Sequence, residues 1–110
     1  ARIIADDGGI TMAKLKVDID VLENTIKTYD TEISNLQHAR EAIKRSLAML
    51  KSSGWNSNAS KAWFSLLDDE WIKNVDYQIR VLDRLKGNLV TARDEYVSVY
   101  NEQEALKNYL

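Results

Sequence analysis

A chain of 110 residues is sized for one domain. It is 45% apolar and 29% charged, and its net charge of −2 comes without a basic run, so nothing in it points to a nucleic acid. The lack of cysteine excludes a disulfide framework and a thiolate metal site, and no stretch approaches the roughly 20 apolar residues of a membrane span.

The first segment, residues 1–17, opens with Ala1 to Thr11, which has no basic region followed by an apolar core and so is not a Sec signal peptide. It reads as an added stretch, with Met12 the natural start. Lys14 to Asp18 alternate polar and apolar and are expected to be extended. A first helix is predicted over 18–52. Asp18 or Asp20 is its cap, and Asp20 with Glu23 resembles a capping box. From there apolar residues recur at steps of three and four: Ile19, Leu22, Ile26, Tyr29, Ile33, Leu36, Ile43, Leu47 and Leu50, with Arg40 as the one polar member. That period of 3.5 is the narrow seam of a coiled coil or antiparallel bundle.

Residues 53–57 form the turn. Gly54 suits the left-handed position after a helix, and Asn56, Ser57 or Asn58 can cap the next one. Trp55 is the surprise, because glycine and small polar residues make a bend without a large aromatic. It is expected to pack on something or to be recognised.

A second helix is predicted over 58–110, with a seam through Phe64, Leu67, Trp71, Val75, Gln78, Leu82, Leu85, Leu89, Ala92, Tyr96, Val99, Gln103, Leu106 and Leu110. Gly87 lies inside it. Further apolar residues, among them Trp63, Leu66, Ile72, Ile79, Val90 and Val97, fall off this seam and widen the apolar arc. Two antiparallel helices bury one face of each but do not enclose a core, so the surplus predicts a partner, most simply a second hairpin completing a four-helix bundle. The expected fold is all-α, an antiparallel two-helix hairpin spanning 1–110. Counting from the turn, residue 18 faces a position near 92, so the chain from about 93 onward overhangs the first helix as an arm of roughly 27 Å.

Catalytic chemistry has little to stand on. His38 is the sole histidine and lies off the seam, and Asp68, Asp69 and Glu70 fan round one turn without converging. Phosphate loop, nucleophile elbow and Glu-x-x-His metal pattern are all missing, so neither an enzyme nor a cofactor is expected.

Two helices joined at a tryptophan turn resemble the WXG family of type VII secretion, small helical hairpins whose turn commonly reads Gly-Trp-x-Gly-x-Ala-Ala with an aromatic soon after. Here the turn is Gly54-Trp55-Asn56-Ser57-Asn58-Ala59-Ser60-Lys61-Ala62-Trp63. Gly54, Trp55, Ala59 and the following aromatic match; Ser57 replaces the family's glycine and Ser60 its second alanine. These departures are similar to divergent members that accompany LXG-type toxins. The resemblance implies an export signal, Tyr-x-x-x-Asp or Glu, met by Tyr100 and Glu104 on the overhang. Phe64 and Asp68 at the same spacing resemble a second targeting pair, for which core packing of Phe64 is an equal reading.

The function implied is that of a non-enzymatic targeting partner or chaperone. It would bind the helical N-terminal domain of an LXG-type toxin, or a WXG-like protein, and be delivered from the cytoplasm to the type VII export ATPase. Gly54, Trp55 and Ser57 form the recognition turn, and Trp63, Trp71, Ile72, Ile79, Leu82, Leu89 and Tyr96 the partner-binding face. Trp55 and Tyr100 do not meet within one such hairpin, so an antiparallel partner has to supply the other half of a composite signal. The rival is a structural coiled-coil homodimer unrelated to export, which leaves Trp55 unexplained.

Overall fold

The structure, a computed structural model, describes residues 11–109. The fold is all-α, a helical hairpin with no strand among the described residues. Helix α1 is Met12–Ser52, α2 is Asn58–Ser65, a π-helical turn follows at Leu66–Trp71, and α3 is Ile72–Lys107. The added stretch read into the N-terminus, and Leu110 of the second seam, lie outside the described residues except for Thr11.

Helix α1 starts earlier than the sequence suggests. The Thr11 hydroxyl accepts a hydrogen bond from the Lys14 amide at 3.0 Å and acts as the cap. Lys14 to Asp18 are therefore helical, not extended, and Asp18 and Asp20 lie inside the helix rather than at its end. Two physical features mislead here. The alternation is too short to separate a strand from a helix, and Asp18 is occupied by an i,i+4 ion pair from Lys14 at 2.7 Å. The seam itself is as read: Ile19, Ile26, Ile33 and Leu47 are buried, Leu22, Tyr29, Leu36, Arg40 and Ile43 are half-buried, and only Leu50 is exposed. Leu15, one step earlier, is among the most buried side chains and was hidden by the late start assigned to the helix.

The contacts divide the chain into two compact units, where the sequence reads as one domain. In the unit Tyr29–Arg84 the end of α1 runs antiparallel to α2, the π turn and the start of α3. Lys51 binds Asp68 at 3.0 Å, and Arg40 spans to Asp76 with two hydrogen bonds of 2.5 and 3.3 Å. Arg40 thus occupies an apolar seam position by laying its stem in the seam and its guanidinium on a carboxylate. That hydrogen bond, with the charge of Asp76 behind it, holds the guanidinium's proton more tightly than usual.

In the other unit the start of α1 packs against α3 from Leu85 onward. Lys16 and Ile19 share a groove with Val97 and Tyr100, and Val21 and Leu22 share one with Ala92 and Tyr96. Because α1 reaches back to Met12, the overhang does not begin near 93. Tyr96, Val97, Tyr100 and Gln103 are half-buried, and continuous exposure begins only at Glu104.

The π turn changes which residues of the second strand of the hairpin face α1. Its Ile72 amide donates to the Leu67 carbonyl, five residues back instead of four. Before it, Ser60, Phe64, Leu67 and Trp71 face inward. After it the inward series is Ile72, Val75, Ile79, Leu82, Lys86, Leu89 and Arg93, one position later in phase. The predicted seam therefore needs correction: Gln78, Leu85, Val99 and Leu106 are exposed, and Ile72 and Val75 are the two buried residues of α3.

Candidate functional site

Gly54 ends α1 with φ of 85°, a left-handed conformation that a side chain strains. The carbonyls left open at the helix end are closed locally: the Ser53 amide donates to Met49 at 3.0 Å, and the Ser52 and Ser53 hydroxyls donate to the Met49 and Leu50 carbonyls at 2.9 and 2.6 Å. The chain then re-enters a helix at Ser57, whose backbone is extended and whose hydroxyl accepts from the Ser60 amide at 3.1 Å. Ser60 returns the bond. Its hydroxyl accepts from the Ser57 amide at 2.7 Å and donates to the Ser57 carbonyl at 2.8 Å. Ser60 is 1% exposed, the most buried polar residue described. The two serines that replace glycine and alanine in the turn pattern are thus partners in one capping box.

Trp55 sits between these two anchors, 41% exposed, and meets Phe64 edge-on at a centroid distance of 5.7 Å and an interplanar angle of 76°. The other contact on Phe64 is the Lys51 ammonium, 5.2 Å from the ring centroid, and the same ammonium binds Asp68. Phe64 and Asp68, singled out as a targeting pair, both have contacts inside the chain. Trp55 is held against Phe64 and stays partly exposed.

The partner face named from sequence divides. Ile72 is buried within the chain and is not available to a partner, a correction that follows from the phase step at the π turn. Trp71, Ile79, Leu82, Leu89 and Tyr96 are half-buried, and Trp63 is exposed. Sequence reasoning missed Leu85 and Val99 as surface residues by placing both on the seam, whereas Leu66, read as off the seam, is exposed. At the end of α3, Tyr100 rests against Lys16 and Ile19 rather than on a free arm, while Glu104 is exposed and accepts a hydrogen bond from Lys107 at 3.1 Å. Trp55 and Tyr100 belong to different units.

No helix among the described residues is long and apolar enough to cross a membrane, and no group of three or more potential metal ligands occurs among them. Asp68 and Asp69 are held by different partners, Lys51 and Ser65.

A model of the family described as "Proteins of 100 residues with WXG" matches residues 14–99. The chain belongs to the WXG100 family. Membership makes it a small helical protein of type VII secretion, from a family whose members are secreted, are not known enzymes, and pair with partners or form homodimers. The WXG100 match spans the Trp turn, the capping box and the π turn, and stops one residue short of Tyr100. No curated protein and no solved structure matches the chain.

Proposed function

We propose that this WXG100 protein is a targeting partner in type VII secretion. It pairs with the helical N-terminal domain of an LXG-type toxin, or with a WXG-like protein, in a four-helix bundle, and goes with it from the cytoplasm to the export ATPase. The observation that carries the reading is the apolar stripe of α3 that α1 leaves uncovered. Leu85, Ala92, Val99 and Leu106 recur at intervals of seven, two helical turns, and three of the four are exposed. A second helical hairpin has the shape and spacing to cover such a stripe.

Trp55 supplies one half of the export signal, since its anchors fix its place while 41% of it stays exposed. Tyr100 and Glu104 supply the other kind of half, four residues apart on one helical face. In the complex the Trp turn of one subunit meets the Tyr motif of its partner.

Co-purification of the full chain with candidate toxin domains, followed by export assays, tests the reading. A stable hetero-complex is expected, with export lost in Trp55→Ala or Tyr100→Ala while the complex persists. A homodimer that binds no toxin domain and whose two variants leave export unchanged would overturn it in favour of a purely structural coiled coil.

A further inference from the structure

One cation ties the Trp turn to the helical segments on both sides of it. Lys51, in the last turn of α1, holds Asp68 of the π turn at 3.0 Å, and its ammonium lies 5.2 Å from the centroid of the Phe64 ring of α2. Phe64 in turn is the ring against which Trp55 rests, edge-on at 5.7 Å. Carboxylate, ammonium, phenyl ring and indole thus stand in contact one after another, and all four residues belong to one compact unit. The end of α1 suits the cation, because a positive charge in the last turn answers the open carbonyls there. The Lys51 carbonyl also accepts the Gly54 amide at 3.4 Å, so the residue that carries the cation closes the start of the turn as well.

These contacts do little for stability. The Lys51 and Asp68 side chains are 50% and 41% exposed, and an ion pair so open to solvent adds little to folding. What they restrict is direction. Gly54 and the Ser57 cap fix where the backbone of Trp55 stands, but leave its side-chain torsions free. The indole takes its direction from the ring it rests on, and that ring is held by an ammonium that Asp68 keeps from swinging into solvent. We propose that Lys51 is a positioning residue for Trp55: bridged to Asp68, it fixes the Phe64 ring and through it the direction in which the indole is presented. The assignment rests on Trp55 as half of the export signal, proposed above, and adds the residue that aims it.

The indole N–H resonance of Trp55, in a nitrogen–proton correlation spectrum of the full chain, tests the assignment. It is identified as the resonance lost in Trp55→Phe, and Phe64→Ala gives its position without the ring contact. Lys51→Met keeps the apolar stem and removes the charge. It is expected to move the resonance at least about half of the way to the Phe64→Ala position, while lowering Tm by less than about 4 °C. Lys51→Arg keeps the charge and is expected to leave the resonance in place. Salt at about 1 M should move the unaltered chain in the same direction and Lys51→Met not at all. A resonance that stays put in Lys51→Met, or moves equally in Lys51→Arg, overturns the proposal. In export assays Lys51→Met is expected to lower export severalfold and Lys51→Arg to restore it; export lost in Trp55→Ala but intact in Lys51→Met overturns the proposal too. If instead Lys51→Met moves the indole while Trp55→Ala leaves export unchanged, the export reading of Trp55 fails and the positioning of its ring stands.

Discussion

Replacing Ser60 with alanine sets two effects against each other, and the structure decides which wins. Alanine has the higher helix propensity, by up to about 0.5 kcal/mol over serine in a helix interior and less in the first turn. Against that, Ser60→Ala removes the acceptor of the Ser57 amide and a second bond to the Ser57 carbonyl, at 2.7 and 2.8 Å. The carbonyl keeps the Lys61 amide at 3.0 Å, so its loss is minor. The amide loses the partner that closes the box, at a side chain only 1% exposed. A capping interaction of this kind is worth about 1 kcal/mol, within a range of about 0.5–2 kcal/mol. The net expectation is a destabilisation of about 1 kcal/mol, which for a chain of this size lowers Tm by about 4–8 °C. Thermal and urea unfolding followed by circular dichroism measures it, at fixed protein concentration because pairing makes Tm concentration-dependent. Ser46→Ala, at an exposed serine within α1, serves as the control and is expected to be neutral or slightly stabilising. If Ser60→Ala behaves like Ser46→Ala, the box contributes nothing and the account of the turn fails.

Other substitutions probe the rest of the structure. Gly54→Ala is expected to cost about 1 kcal/mol because it forces a side chain to φ of 85°, whereas Gly87→Ala, whose new methyl meets nothing within 4 Å, should stabilise by about 0.5–1 kcal/mol; equal effects at the two sites in urea melts would contradict the backbone assignment. Ile72→Ala is expected to cost about 2–4 kcal/mol in the isolated chain and Leu85→Ala less than about 1 kcal/mol, with the order reversed for partner affinity; a larger stability loss at Leu85 would mean the phase of α3 has been misassigned. Arg40→Leu is expected to be better tolerated than Arg40→Ala, since both leave Asp76 unanswered but leucine refills the seam where alanine leaves a gap; matching denaturation midpoints for the two variants would remove the seam role given to the arginine stem.

The helical hairpin was legible because its physics is periodic and local. The seam of α1 runs from Ile19 to Leu47 with Arg40 as its one polar member, and the turn carries its own signals in Gly54 and Ser57. The start of α1 was hidden because Asp18 and Asp20 look like caps, while the hydroxyl that does the capping, Thr11, stands in a stretch without pattern. Ser60 was passed over because Ser-x-x-Ser is a weaker signature than Ser-x-x-Glu, although the replacement of alanine by serine three residues after Ser57 was visible in the sequence. The register of α3 was not legible. Lys86 and Arg93 are half-buried at positions that sequence scores as polar, and the extra residue of a π turn leaves no mark in composition.

That extra residue bears on what α3 offers to a partner. An unbroken α-helix phased on Phe64, Leu67 and Trp71 would continue inward through Val75, Gln78, Leu82 and Leu85, placing the apolar heptad column against α1 and Ile72 and Ile79 beside it. The π turn advances the phase by one position, so Ile72 and Ile79 pack beside Val75, while Gln78, Leu85, Val99 and Leu106 are exposed. The cost is visible at the first heptad after the shift: Lys86 is half-buried where the neighbouring Leu85, which is exposed, would have fitted an apolar seam. A sequence serving only the stability of the hairpin would keep the apolar column inside. This one has Lys86 and Arg93 half-buried and leaves Leu85, Val99 and Leu106 exposed, an arrangement that becomes favourable when another helix covers them.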